Sequence, residues 1–151
     1  MKFKFEKLII WQKAMDFGED IYHLSANFSD DERFNLVSQI RRAVDSIALN
    51  ISEGAIGQSN LELKKFMGYA IRSLAEVVTC LHKAKRREHK SLQEFDKFYT
   101  DSFNLINMMI AFKKVLNELG VGSRKTEDRS WIKEKNFVIF SLLRSSVSRP
   151  T

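Results

Sequence analysis

The chain has 151 residues, of which 44% are hydrophobic and 29% charged, a balance that excludes a disordered polymer and can close one core of its own. The net charge is +6, and the single proline is Pro150, so nothing in the body breaks a helix by removing an amide donor. No stretch approaches the ~20 apolar residues of a membrane helix, and the lone Cys80 can build neither an internal disulfide nor a zinc site.

The opening Met1-Lys2-Phe3-Lys4-Phe5-Glu6 lacks the apolar run of a secretory signal, so a reduced, cytoplasmic protein with no membrane contact is expected. Leu8, Trp11, Met15, Gly18 and Tyr22 step by three and four and predict the buried seam of a first helix. Three capping boxes follow, each a serine with glutamate three residues on. Ser29-Asp30-Asp31-Glu32 opens a second helix that buries Val37, Ile40, Val44, Ile47, Ala48 and Ile51 and stops at Gly54. Ser59-Asn60-Leu61-Glu62 opens a third, whose core face is Leu63, Phe66, Met67, Ala70, Leu74, Val77, Val78 and Leu81, with Cys80 a buried thiol among them. Ser91-Leu92-Gln93-Glu94 opens a fourth, with Phe95, Tyr99, Phe103, Ile106, Met109, Ile110 and Leu116 inward and an end near Gly120.

Long helices on short links pack as antiparallel neighbours. The expected fold is therefore all-α: an up-down-up-down four-helix bundle over residues 1–120. Leu105, Ile106, Met108, Met109, Ile110, Ala111 and Phe112 cover almost the whole circumference of the fourth helix. A helix apolar all round is normally buried all round, which predicts a subunit interface including Met108 and Phe112; a few tolerated surface residues are the alternative. Residues 121–151 read as a charged linker and a tail with an apolar run at 137–143. That run can dock on the bundle, add to a neighbouring subunit or stay disordered.

The second helix also carries a polar series, Gln39, Arg42, Ser46, Asn50 and Glu53, on a stripe away from its core face. With it the chain becomes recognisable. Gln39-Ile40-Arg41-Arg42-Ala43, Ser46-Ile47 and Asn50-Ile51-Ser52-Glu53-Gly54 resemble the four-helix-bundle family of 23S rRNA intervening-sequence proteins. Phe5-Glu6-Lys7-Leu8 with Trp11-Gln12-Lys13-Ala14, and Ala70 with Ser73-Leu74-Ala75-Glu76, resemble the family's opening and its third-helix signature, so the likeness spans about residues 3–118. Gln58 departs from the pattern, which often has an arginine there. The resemblance implies a four-helix bundle without enzymatic activity and a ring-like homopentamer. A related group, the accessory variability proteins of diversity-generating retroelements, works with a reverse transcriptase and nucleic acid, and this implies such partners. Gln39, Arg42, Ser46, Asn50, Glu53 and Gly54 are accordingly the candidate motif or interface residues, with Arg42 and Glu53 expected to pair across subunits; a solvated helix face is the competing reading.

The positive charge is unevenly spread. Residues 1–54 carry seven Lys/Arg against nine Asp/Glu, residues 55–90 eight against three, residues 91–120 three against four, and residues 121–151 seven against three. Lys65, Arg72, Lys83, Arg86, Arg87 and Lys90 fall on one side of the third helix, away from its core face. Such a stripe attracts phosphates without reading sequence, although cations near a helix C-terminus also oppose its dipole. No aromatic residue is read as interleaved with it, so the expectation is phosphate contact without base stacking.

Phosphate loops, nucleophile elbows, His-Glu-x-x-His helices and Cys-x-x-Cys pairs are absent from the sequence, and His23, His82 and His89 form no ligand spacing. No cofactor, metal or catalytic residue is expected. Two functions remain: an oligomeric adaptor or accessory protein binding RNA or DNA through the basic face, and an interaction scaffold with no nucleic-acid affinity.

Overall fold

The structure, a computed structural model, describes residues 1–57, 59–87 and 95–122, the last four as backbone only. Four helices follow one another: α1 (Ile9–Ala26), α2 (Leu36–Ile56), α3 (Asn60–Arg86) and α4 (Phe95–Gly122). Each packs on its neighbours in the chain and α4 returns to α1, giving the up-down-up-down bundle. The α2–α3 contact is the most extensive and the α4–α1 contact the slightest. The antiparallel sense is visible in single pairs. Gln39 near the start of α2 meets Glu76 far along α3, and Lys97 at the start of α4 reaches Asp20 late in α1.

Helix α1 is introduced by a 3-10 turn, Phe5–Lys7, whose Glu6 carbonyl accepts from the Gln12 side chain at 2.7 Å. Its buried face is Ile10, Ala14, Phe17, Ile21 and Leu24; of the Leu8–Trp11–Met15–Gly18–Tyr22 seam expected from spacing, Leu8 just before the helix is buried and Trp11 and Gly18 are half-buried. Met15 and Tyr22 are exposed. The two stripes have the same three-four spacing and lie side by side, so periodicity could not choose between them. The packing of the bundle does, by enclosing the Ile10–Leu24 stripe in one core with the apolar faces of the other helices.

The Ser29–Glu32 box forms a 3-10 turn rather than the start of α2, and the Ser29 side chain makes no capping bond. Helix α2 begins six residues after Asp30, at Leu36, where Glu32 Oε2 accepts from the Leu36 amide at 3.3 Å. The glutamate of the box thus still satisfies one of the free amides of that helix. The expected core face of α2 is buried throughout. Gly54 does not end the helix. It lies within it, buried, and a Cβ there would stand 2.7 Å from Phe66 Cβ and 3.2 Å from Leu63 Cα. Its missing side chain is what lets α2 and α3 approach.

The serine half of the second box is formed: Ser59 Oγ accepts from the Glu62 amide at 3.1 Å and sets the first turn of α3. Leu63, Met67, Ala70, Leu74, Val77, Leu81 and Ala84 are buried, as is Cys80, while Phe66 and Val78 sit at the margin. The third box, at 91–94, lies outside the described residues, as do Gln58, Lys90 and residues 123–151.

Helix α4 buries Phe95, Phe98, Ser102, Leu105, Met109, Phe112 and Leu116, a strict three-four repeat with a serine in its third place. The hydroxyl is tolerated there because it donates to the Phe98 carbonyl at 2.7 Å and so is not left unpaired. Of the face expected from spacing, Phe95, Met109 and Leu116 are buried and Ile106 partly so, whereas Tyr99, Phe103 and Ile110 are 44%, 59% and 40% exposed. Phe112, expected at a subunit interface, is 1% exposed and belongs to the core of the bundle itself. Met108 is half-buried beside it. The backbone of α4 runs on past Gly120 to Gly122.

Candidate functional site: the α2–α3 polar strip and the α3–α4 basic groove

The polar series of α2 does not face away from the bundle; much of it leans against α3. Gln39 Nε2 donates to Glu76 Oε1 at 3.3 Å, and Lys83 Nζ donates to Gln39 Oε1 at 3.5 Å. Farther along, Asn50 Nδ2 donates to the Ser46 carbonyl at 2.7 Å and to Ser46 Oγ at 3.0 Å, while Ser73 Oγ lies 3.0 Å from Ser46 Oγ. Two stretches singled out separately in the sequence, one on each helix, are therefore halves of one hydrogen-bonded strip. Arg42 and Glu53 are the exposed members, and neither side chain makes an ion pair or hydrogen bond with any described residue. The neighbouring Arg41 turns the other way: its Nε donates to the buried Ser25 Oγ at 2.8 Å and its guanidinium covers the Tyr22 ring at 4.0 Å, tying α2 to α1.

The basic stripe divides. An α-helix drifts roughly 20° per heptad against the 3.5-residue repeat of its packing, so about 50° separate Lys65 from Lys83 in the frame of the bundle. The distal end leans towards α2 and the α1–α2 connection. Lys83 holds Gln39, and Arg87 pairs with Glu32, the residue that caps α2. Arg86 is exposed.

The proximal end opens on α4. Lys65 and Arg72 line an open groove of about 830 Å³ together with Lys64, Gly68 and Tyr69 of α3 and Lys113 of α4, with Ser59, Leu61 and Glu62 at its rim. Glu62 is the one carboxylate among its described lining residues. Four cations around one carboxylate produce a positive potential that a concave, low-dielectric wall reinforces. Sequence reasoning missed Lys64, Lys113 and Tyr69. Lys64 stands about 100° round α3 from Lys65, and Lys113 belongs to another helix and reaches the groove only because α4 packs antiparallel against α3. Tyr69 was legible, because it stands four residues after Lys65 and three before Arg72. The stripe thus does contain an aromatic residue, against the expectation: Lys65 Nζ and Arg72 Cζ lie 5.9 and 5.8 Å from its ring centre, and Phe66 meets the ring edge-on at 5.7 Å.

Two further grooves are present. One, between α1 and α2, is floored by Ala14, Gly18 and Ala48 and walled by Trp11, Met15 and Leu49. The other, between α1 and α4, is lined by Asp16, Asp20 and Asp101 with Lys13. Burial pushes the Cys80 thiol above its ordinary range; Lys83 works against this, Glu76 with it, and Arg87 against it. Among the described residues no three His, Cys, Asp or Glu side chains gather as a metal site, and no helix is long and apolar enough to cross a membrane.

No curated protein matches the chain. The family model described as 23S rRNA-intervening sequence protein matches residues 6–111, which takes in α1, α2, α3, the polar strip and the first part of α4, and the chain belongs to that family.

Proposed function

We propose that this protein is a non-enzymatic, self-associating accessory protein that holds RNA or DNA by its phosphates on the basic side of α3. The observation that carries the reading is the α3–α4 groove, where Lys64, Lys65, Arg72 and Lys113 surround one opening with a single carboxylate among its described lining residues. Cations so placed release counterions when they meet a phosphate backbone, which gives salt-dependent binding without base readout. The family's description refers to an intervening sequence in 23S rRNA, which makes RNA the first ligand to test. A homo-oligomer, a pentamer by likeness to relatives, repeats the groove and raises avidity. Reverse transcriptase or another protein partner, cytoplasmic like this chain, fits the same accessory role.

The test is a titration of labelled RNA and DNA oligonucleotides at several salt concentrations. Affinity is expected to fall steeply with salt, and Lys65→Glu with Arg72→Glu to weaken it more than Lys83→Glu, whose ammonium is already held by Gln39. Equal affinity in the wild type and the double charge reversal sinks the reading. The scaffold reading is then favoured, supported by the exposed Tyr99, Phe103 and Ile110 along α4.

A further inference from the structure

We infer that the α3–α4 groove takes single-stranded nucleic acid, with a base stacked on Tyr69 and the adjoining phosphates held by Lys65, Arg72 and Lys113. The inference rests on the proposed phosphate binding and names the strand form the site selects.

Three observations support it. The first is the state of the ring. Tyr69 is half-buried and braced edge-on by Phe66, with an interplanar angle of 84°, so it has little freedom left to lose on stacking. Its neighbouring cations stand 5.8 and 5.9 Å from the ring centre, near the outer limit of a cation–π contact. The contrast within the molecule is Tyr22, whose ring Arg41 covers at 4.0 Å.

The second observation is Gly68. A glycine inside a helix is disfavoured relative to alanine, and this one lies in the third turn of a 27-residue helix. It forms part of the groove floor beside Tyr69, and a Cβ there would meet the Lys113 ammonium at 3.5 Å. The absent side chain keeps the floor low beneath the Lys113 ammonium, with which a methyl at that distance would be in ordinary van der Waals contact.

The third is size and chemistry together. An open groove of about 830 Å³ has room for a nucleotide with its neighbours running out along the helix. A duplex shields its base faces in its own stack, whereas a single strand can offer one to an aromatic ring while cations track its backbone.

The experiment compares wild type, Tyr69→Ala, Tyr69→Leu, Tyr69→Phe and Lys113→Glu for binding to a fluorescent 12-nucleotide single strand, its matched duplex and a free mononucleotide. Circular dichroism verifies that each variant is folded, and Tyr69→Leu keeps the bulk of the site if the alanine variant does not fold. The expected result is single-strand affinity about 5- to 100-fold weaker in Tyr69→Ala and Tyr69→Leu. Tyr69→Phe stays near wild type, the salt slope is unchanged in the tyrosine variants, and 2-aminopurine in the strand is quenched by wild type and Tyr69→Phe but not by Tyr69→Ala or Tyr69→Leu. Full single-strand affinity in Tyr69→Ala, together with a loss in Lys113→Glu, overturns stacking and leaves phosphate binding standing. Equal losses for strand and duplex also overturn it. Mononucleotide binding as tight as the 12-mer replaces the strand site with a nucleotide pocket. Failure of the wild type to bind any of the three removes the phosphate reading as well.

Discussion

Ser73 Oγ on α3 lies 3.0 Å from Ser46 Oγ on α2, and Ser46 Oγ also accepts from Asn50 Nδ2 at 3.0 Å. Two short polar residues in the most extensive interface of the bundle therefore bind each other, at a place where longer side chains would hold the helices apart. Ser73 has a second acceptor, the Tyr69 carbonyl at 3.2 Å, so its proton is never without a partner.

The serine pair is expected to be energetically coupled. Ser73→Ala and Ser46→Ala should each cost about 0.5–1.5 kcal/mol, the usual net worth of such a bond. The double variant should lose less than the sum, because each single change already removes the shared bond. Urea unfolding of the four members of the cycle measures the coupling, and strict additivity would show that the pair does not interact.

Gly54→Ala separates helix propensity from packing. Propensity alone favours alanine by about 1 kcal/mol. The added Cβ, however, would lie 2.7 Å from Phe66 Cβ and 3.2 Å from backbone at Leu63, neither of which is the loose end of a flexible chain. Net destabilisation of about 1–3 kcal/mol is expected, read as a lower melting temperature. A rise in melting temperature would mean that α2 and α3 can part without loss.

Cys80 is fully buried, so a thiol reagent should label it only as the protein unfolds. Its pKa is raised, first by burial. The folded state therefore keeps the thiol proton at a pH where the unfolded chain has begun to lose it. The contribution of Cys80 to stability is accordingly full below the unfolded thiol's pKa of about 8.5 and declines as pH rises from there through the higher folded value. Cys80→Ala should remove this alkaline component of a pH–stability curve; an unchanged slope above pH 9 would locate the effect elsewhere.

Glu32 joins three parts of the chain, capping α2 at Leu36 and pairing with Arg87 beyond α3. Glu32→Ala should cost more than Arg87→Ala, because it removes the cap as well as the ion pair. About 1 kcal/mol is typical of a lost cap, whereas the arginine side chain is 42% exposed and solvent screens its pairing. Thermal melts at low and high salt distinguish the two: the arginine effect should fade with salt and the cap effect persist.

If α4 supplies the self-association surface, Phe103→Glu with Ile110→Glu should lower the mass in solution while leaving the helical content unchanged, since both residues stand outside the core. Arg42→Ala and Glu53→Ala should lower it too, because neither side chain has a hydrogen-bond or ion-pair partner among the described residues of its own chain. Light scattering reads all four. An unaltered mass in every case removes these surfaces from any assembly.

Much of the fold was legible in the sequence because helix signals are local. The core faces of α2 and α3 follow from three-four spacing, the Ser59 cap follows from its glutamate, and short links between long helices dictate antiparallel neighbours. The cations from Lys65 to Arg87 were readable too, but the angle per residue alone did not show that Lys65 and Arg72 open on α4 while Lys83 and Arg87 turn to Gln39 and Glu32. Composition and the order of motif residues were enough to reach the family.

Tertiary packing decided what spacing leaves degenerate. In α1 and α4 two apolar stripes share one periodicity, and which is buried depends on the helix that lies against it; thus Phe17 and Leu105 go inside while Met15 and Phe103 stay out. The groove likewise exists only because antiparallel packing carries Lys113 back beside Gly68, forty-five positions earlier in the chain. Angle along one helix is a local quantity that residue order sets. Proximity across helices depends on register and approach distance, and here small residues such as Gly54, Ser46 and Ser73 fix both.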